Sequence, residues 1–187
     1  IQDSPWGATV KRWHNEGLPE RKGPAEYFGY EIRGLGADLT PRTLDGVRRF
    51  LADWIDRLGA VYCAASLPPA FCYAGHDAPS PSAVLLRQVL LPLLGERGLP
   101  LAMMIGCNAA VNPALGDAGD MVGKADIGSL TRLCAEFPEN RFLVTLLSRE
   151  NQHDLAVLAR KFGNLTIFGC WWFLNTPSLV AEITRQR

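Results

Sequence analysis

The sequence contains no Cys-x-x-Cys pair, no His-x-His, no Gly-x-Ser-x-Gly and no Gly-x-Gly-x-x-Gly or Walker-type loop. The first absence excludes the usual spacing of a cysteine zinc site. The lack of a Gly-x-Ser-x-Gly elbow and of any Ser/His/Asp set argues against serine hydrolysis. The missing glycine-rich loops argue against nucleotide binding. Charge of one sign is not in excess either: 19 Lys and Arg face 19 Asp and Glu, which gives no electrostatic case for nucleic acid or an anionic membrane. The most apolar run, Ala83–Leu94, is interrupted by Arg87, Gln88 and Pro92 and is too short to span a bilayer. The start, Ile1-Gln2-Asp3-Ser4-Pro5, has neither the basic end nor the apolar core of a signal peptide. Cysteines are few, scattered and odd in number (Cys63, Cys72, Cys107, Cys134, Cys170), which predicts reduced thiols in a cytoplasmic protein.

What is present is an alternation of strand-like and helix-like segments. The clearest is Phe142–Phe173, FLVTLLSRENQHDLAVLARKFGNLTIFGCWWF. Phe142–Leu147 is an apolar run of strand length. Ser148 follows as an expected N-cap with Glu150 in the first turn, and Leu155, Leu158, Ala159 and Phe162 recur at helical spacing. Gly163 is expected to close that helix in the left-handed region, before a second strand over Leu165–Cys170 and the aromatic run Trp171-Trp172-Phe173.

The same grammar appears upstream. Thr40-Pro41 caps and opens a helix carrying Leu44, Val47, Leu51, Trp54, Ile55 and Leu58, and Gly59 ends it. Val61–Leu67 is a strand stopped by Pro68-Pro69, and a loop with Phe71, Tyr73 and His76 follows. Ser80-Pro81 opens a helix, kinked at Pro92 and ended by Gly98, and Pro100–Gly106 is the next strand. The long connection CNAAVNPALGDAGDMVGK, Cys107–Lys124, has the length and polarity of an active-site loop. Asp126 caps a helix ended by Pro138, and Thr176-Pro177 opens the last one. Four strands near 61–67, 100–106, 141–147 and 165–170 should therefore pair in parallel and in that order, with helices outside. Side chains on the inner face of such an arc, with Met103 and Thr145 taken as examples, should be unusually exposed. Ile1 rather than Met opens the chain and the last helix reaches Arg187 without a stop signal, so the sequence reads as a portion of a longer protein.

In a β/α architecture, chemistry is carried by the loops after the strands. Arg149 could grip a carboxylate through its planar fork and Asn151 could bind a hydroxyl, or both could serve only at a helix start. Trp171 or Trp172 could stack on a sugar face or plug a barrel mouth. Asp117 and Asp120 could bind hydroxyls or, each next to a Gly, serve as ordinary turn residues. His153, one turn into a helix, fits a solvated or capping role, and His14 and His76 are isolated. These residues describe a polar, aromatic small-molecule cleft and no particular reaction.

Four stretches nevertheless resemble a known family. FLADWIDRLGAVYCAASLPPAF, LPLAMMIGCNAAVNPALGDAGDMVGKAD, FLVTLLSRENQHDLAVLARKF and NLTIFGCWWFLNTPSLVAEITRQR are similar, in order and spacing, to the uronate (glucuronate) isomerase family of amidohydrolase-like (β/α)8 barrels. The likeness covers roughly residues 42–187 and leaves 1–41 unassigned. It implies a partial TIM-type barrel of about four βα units and aldose–ketose isomerisation of D-glucuronate to D-fructuronate and D-galacturonate to D-tagaturonate. It also implies a divalent metal, zinc in the typical member, in the complete enzyme. It assigns Asp117, Asp120, Arg149, Asn151, His153, Trp171 and Trp172 to substrate binding and leaves the catalytic groups unknown. The family's metal-binding His-x-His and its late Asp ligand have no counterpart here, so this chain alone is expected to be inactive and to bind no metal. The expected partner is a small-molecule hexuronate, with neither nucleic acid nor membrane, and a homo-oligomer is allowed for the full-length form. Two alternatives differ in class: a non-catalytic carbohydrate-binding or scaffold protein derived from that barrel, and a methyltransferase-type barrel. The latter rests on the phrase RWHNEGLPE…AEYFGYE, which resembles uroporphyrinogen-decarboxylase-like methyltransferases.

Overall fold

Proline and threonine set where the first described helix begins. Thr40 Oγ1 accepts the Thr43 N–H at 3.3 Å, and Pro41, which has no N–H to satisfy, occupies the first turn of α1, Pro41–Leu58. The computed structural model describes residues 39–73, 80–169, 174 and 176–186. The chain divides into two compact units, Ile1–Asp45 and Gly46–Arg187, and the sheet lies in the second.

After α1 come β1 (Cys63–Leu67), α2 (Pro81–Leu85), a π turn (Leu86–Leu90), α3 (Leu91–Arg97) and β2 (Leu101–Ile105). A two-stranded excursion, β3 (Cys107–Asn108) and β4 (Met121–Val122), precedes α4 (Ile127–Glu136) and β5 (Phe142–Leu146). A 3-10 turn (Arg149–Asn151), α5 (Gln152–Ala159), β6 (Leu165–Ile167) and α6 (Pro177–Gln186) complete the order. The main sheet runs β1-β2-β5-β6. All three pairings are parallel, with Cys63 opposite Leu101, Leu101 opposite Phe142 and Phe142 opposite Leu165. This is the expected arc of four βα units, a partial (β/α)8 barrel. No helix among the described residues is long and apolar enough to cross a membrane.

Several punctuation signals act as their chemistry predicts. Ser80 accepts from the Ala83 N–H, Asp126 accepts from Gly128 and Ser129, and Gly98 ends α3 with φ 62°. Others differ. Pro92 lacks the N–H that the preceding turn would use, and the helix widens just before it, with the Leu91 N–H donating to Leu86 O. The Leu91 carbonyl accepts from Asn140 Nδ2 at 2.8 Å. Gly163 does not close α5. That helix stops at Ala159, the N–H groups of Lys161 and Phe162 both turn back onto Leu158 O, and Gly163 is not among the positive-φ glycines.

The two faces of the arc are told apart by burial. Leu101, Met103 and Ile105 share a face with Phe142, Val144 and Leu146, and all six are buried. The buried leucines of the helices, among them Leu91, Leu94, Leu133 and Leu155, supply the layer over this face. The opposite face carries Ala64 and Ser66, both exposed, Met104 and Leu143, both half-buried, and exposed Thr166. Two exposure expectations are thereby corrected. Met103 points to the helix layer and is 0% exposed, because strand alternation puts its neighbours Ala102 and Met104 on the other face. Thr145 does lie on the open face but is only 1% exposed.

Candidate functional site at the strand ends

The carboxyl ends of the parallel strands are joined into one rim by backbone hydrogen bonds. Gly106 N–H donates to Leu67 O at 3.0 Å, Leu147 N–H to Ile105 O at 3.0 Å, and Gly123 N–H to Gly106 O at 2.8 Å. The sequence permits this close approach through two glycines. A Cβ on Gly106, whose φ is 119°, would come within 2.8 Å of Gly123 O, and one on Gly123 would lie 2.4 Å from Pro69 Cγ. The loops after β1, β2 and β5 therefore meet at one place.

Asn151 stitches the same rim from the side. It is buried, its Oδ1 accepts the Ala125 N–H at 2.8 Å, and its Nδ2 donates to Ala125 O at 3.0 Å. Next to it, Gln152 Nε2 donates to Leu146 O at 2.7 Å and Ser148 O at 3.0 Å, closing the end of β5. Ser148 makes no side-chain cap; its hydroxyl bonds the Glu150 carboxylate instead. That bond, then the Glu150 N–H, hold Glu150 below the usual carboxylate range.

Among the described residues, the remaining candidates occupy separate positions. Arg149 is exposed and directs Nε and Nη2 to Glu182 Oε2 on α6, at 3.2 and 2.9 Å. His153 is exposed on α5. Asp120 organises the excursion after β2: its Oδ1 accepts the Ala110 N–H at 2.7 Å and its Oδ2 accepts from Cys107 Sγ at 3.4 Å. Ala110 sits at φ 55°, a conformation uncommon for a residue with a side chain. Burial, then the Asp120 carboxylate, push the Cys107 thiol above its ordinary value. Asp117 lies in the turn Pro113–Gly119, and its side chain, like His14, His76, Trp171 and Trp172, lies outside the described residues.

Sequence reasoning did not single out the clamp that holds the loop after β1. Tyr73 is buried, its N–H donates to Ser129 Oγ at 2.7 Å, and its carbonyl accepts from Arg132 Nε. Its phenol donates to Glu136 at 2.6 Å, and Glu136 also pairs with Arg87. Burial, then Glu136, push that phenol up to about 12. The signal available in the sequence was the spacing of Asp126, Ser129, Arg132 and Glu136, which puts all four near one side of α4.

Among the described residues no three His, Cys, Asp or Glu side chains are grouped to hold a metal ion. Cys107 and Asp120 approach each other, but two donors do not make the set a divalent ion needs, so the residues described do not fit a metal site. A shallow groove on the flank of α1, lined by Gly46, Arg49, Phe50, Ala52, Asp53 and Asp56, is remote in kind from the rim: it has no strand end and no converging backbone donors.

Solved structures similar to this chain carry one theme. The uronate isomerase of Bacillus halodurans C-125 is 48% identical with a TM-score of 0.78, over 87% of this chain and 39% of that one. The glucuronate isomerase of Caulobacter crescentus is 18% identical with a TM-score of 0.66, over 87% and 41%. The uronate isomerase of Thermotoga maritima is 15% identical with a TM-score of 0.61, over 71% and 36%. The latter two likenesses speak to fold alone, and the chain spans about two-fifths of the length of the proteins it matches. No protein-family model and no curated protein matches it.

Proposed function

As a member of the uronate isomerase family, the chain carries part of an isomerase barrel, and we propose that its strand-end rim binds a hexuronate within a complete uronate isomerase. The reaction is the interconversion of D-glucuronate with D-fructuronate and of D-galacturonate with D-tagaturonate. One hydrogen moves from C2 to C1 while the proton on O2 is passed on and O1 gains one, so no oxidant or reductant is consumed. The observation that carries this proposal is 48% identity to the Bacillus uronate isomerase over 87% of the chain.

Residues 42–187 form the barrel portion in this proposal and residues 1–41 a separate N-terminal segment. Asp117, Asp120, Arg149, His153, Trp171 and Trp172 are proposed as substrate-binding residues, with Asn151 shaping the pocket through its bonds to Ala125. The divalent metal of the complete enzyme would be held by groups other than the described residues of this chain. The 187 residues alone are proposed to be inactive.

Arg149 provides the test. Its guanidinium already binds one carboxylate, that of Glu182, with Nε and Nη2 both donating to Oε2, which supports its fitness for the carboxylate of a sugar acid. In the intact protein Arg149→Met should cost about 1.5–3 kcal/mol in kcat/KM for glucuronate, as loss of a charge-assisted hydrogen bond does. Glu182→Gln, which frees the guanidinium, should not lower it. Unchanged kcat/KM for Arg149→Met, with the fold intact, would make Arg149 a partner of Glu182 alone. Binding of glucuronate by the intact wild type without turnover would replace the enzyme with a carbohydrate-binding protein.

A further inference from the structure

Thr145 is the one polar side chain on this sheet whose placement the fold does not explain. It is 1% exposed, and its Oγ1 is a buried polar atom with no hydrogen-bond partner among the described residues. Leaving a hydroxyl unpaired away from water is costly, and valine would fill the same shape without that penalty. The other β5 residues, Phe142, Leu143, Val144 and Leu146, are all apolar.

Its position is specific. Thr145 is one residue short of the end of β5, next to the rim. Register places it beside Met104 and, across that strand, Ser66, whereas Phe142, Val144 and Leu146 face the helix layer. Thr145 therefore lies on the interior face of the arc, where Ser66 and Thr166 are exposed. A hydroxyl is both donor and acceptor, which suits a ligand bearing hydroxyls and a carboxylate.

We propose that Thr145 is a ligand-binding residue whose hydroxyl supplies, from the interior wall of the barrel, a hydrogen bond to an oxygen of the bound sugar acid. This rests on the hexuronate-binding function proposed above. The unpaired hydroxyl is then a site feature that lowers the stability of the fold, of the kind found where a group is held ready for a ligand.

The experiment compares Thr145→Val and Thr145→Ser in the intact protein, by thermal melting and by steady-state kinetics with glucuronate. Thr145→Val should melt at or above the wild-type temperature while raising KM about tenfold, the effect of one neutral hydrogen bond. Thr145→Ser should restore the wild-type KM. An unchanged KM in Thr145→Val overturns the proposal. So does a lower melting temperature in that variant, because the hydroxyl would then already have a partner, protein or water. A wild type that neither binds nor turns over glucuronate removes the isomerase function and this proposal with it. An active wild type with an unaffected Thr145→Val removes this proposal alone.

Discussion

Both ends of the Asn151 amide meet the backbone of one residue, Ala125, in the pattern by which a neighbouring strand would meet it. Removing the side chain leaves a buried N–H and its carbonyl without partners, each worth about 1–3 kcal/mol. Asn151→Leu should therefore destabilise the intact protein by at least about 2 kcal/mol, read from urea denaturation. Asn151→Asp should be no milder, since a carboxylate can accept from the Ala125 N–H but cannot donate to its carbonyl. Wild-type stability in Asn151→Asp would show that the amide does not hold the loop. The sequence placed Asn151 at a strand end, where a hydroxyl of a ligand was the obvious partner. What it could not convey is that residue 125 would arrive beside it. That follows from the Gly106–Gly123 contact at 2.8 Å, and two small residues seventeen apart give no local signal of such an approach. Arg149 is the same lesson in reverse: its fork was legible, and its partner Glu182 on α6 was not.

At the scale of elements, legibility followed the rigidity of local chemistry. Apolar runs bounded by Pro and Gly located all four strands, and Thr40, Ser80 and Asp126 marked helix starts because each accepts from an N–H two or three residues ahead. The π turn at Leu86–Leu90 and the short β3–β4 hairpin were not legible. The first is an adjustment around Pro92, and the second depends on Asp120 reaching back to Ala110. Faces of buried parallel strands were also hard to assign, since LAMMI is apolar on both sides and FLVTL is so but for Thr145, and neither shows alternation. The cap at Asp126 yields a pH prediction. Burial pushes its carboxyl up, but the Ser129 hydroxyl, the Gly128 N–H and Arg132 outweigh this and leave it below the usual carboxylate range. A depressed folded value means the contribution is present above the unfolded value and is lost as pH falls through the folded one. Between about pH 5 and pH 2, wild type should lose more stability than Asp126→Asn, whose cap does not titrate. The Asp126 side chain is 45% exposed, so the difference is expected to be small, below about 1 kcal/mol. Parallel pH profiles for the two proteins would show that the cap charge contributes nothing to the fold.

At the scale of the whole molecule, the arc is four strands of an architecture that closes at eight, in a chain that spans 39% of the length of the Bacillus uronate isomerase. Among the described residues, β1 and β6 are edge strands, each with one side of its backbone unpaired. Apolar side chains near these edges are exposed: Val61 at 73% and Tyr62 at 51% before β1, Phe168 at 37% after β6. Unpaired backbone beside exposed apolar surface is the usual starting point of strand-to-strand association. The face bearing Ala64, Ser66 and Thr166 is open as well, so the apolar area buried by the arc is smaller than a closed barrel would bury. Expressed by itself, the 187-residue chain should therefore self-associate, with a mass by light scattering that rises with concentration. Its thermal unfolding should be broad, since edge strands open before the β2–β5 centre where Met103 and Val144 are fully buried. Charged substitutions at the edge, Val61→Lys with Tyr62→Lys, should reduce association without restoring cooperativity, because they block pairing but add no buried surface. A monodisperse monomer that melts in one sharp transition would mean that the arc is complete as it stands and needs no further strands to cover its inner face.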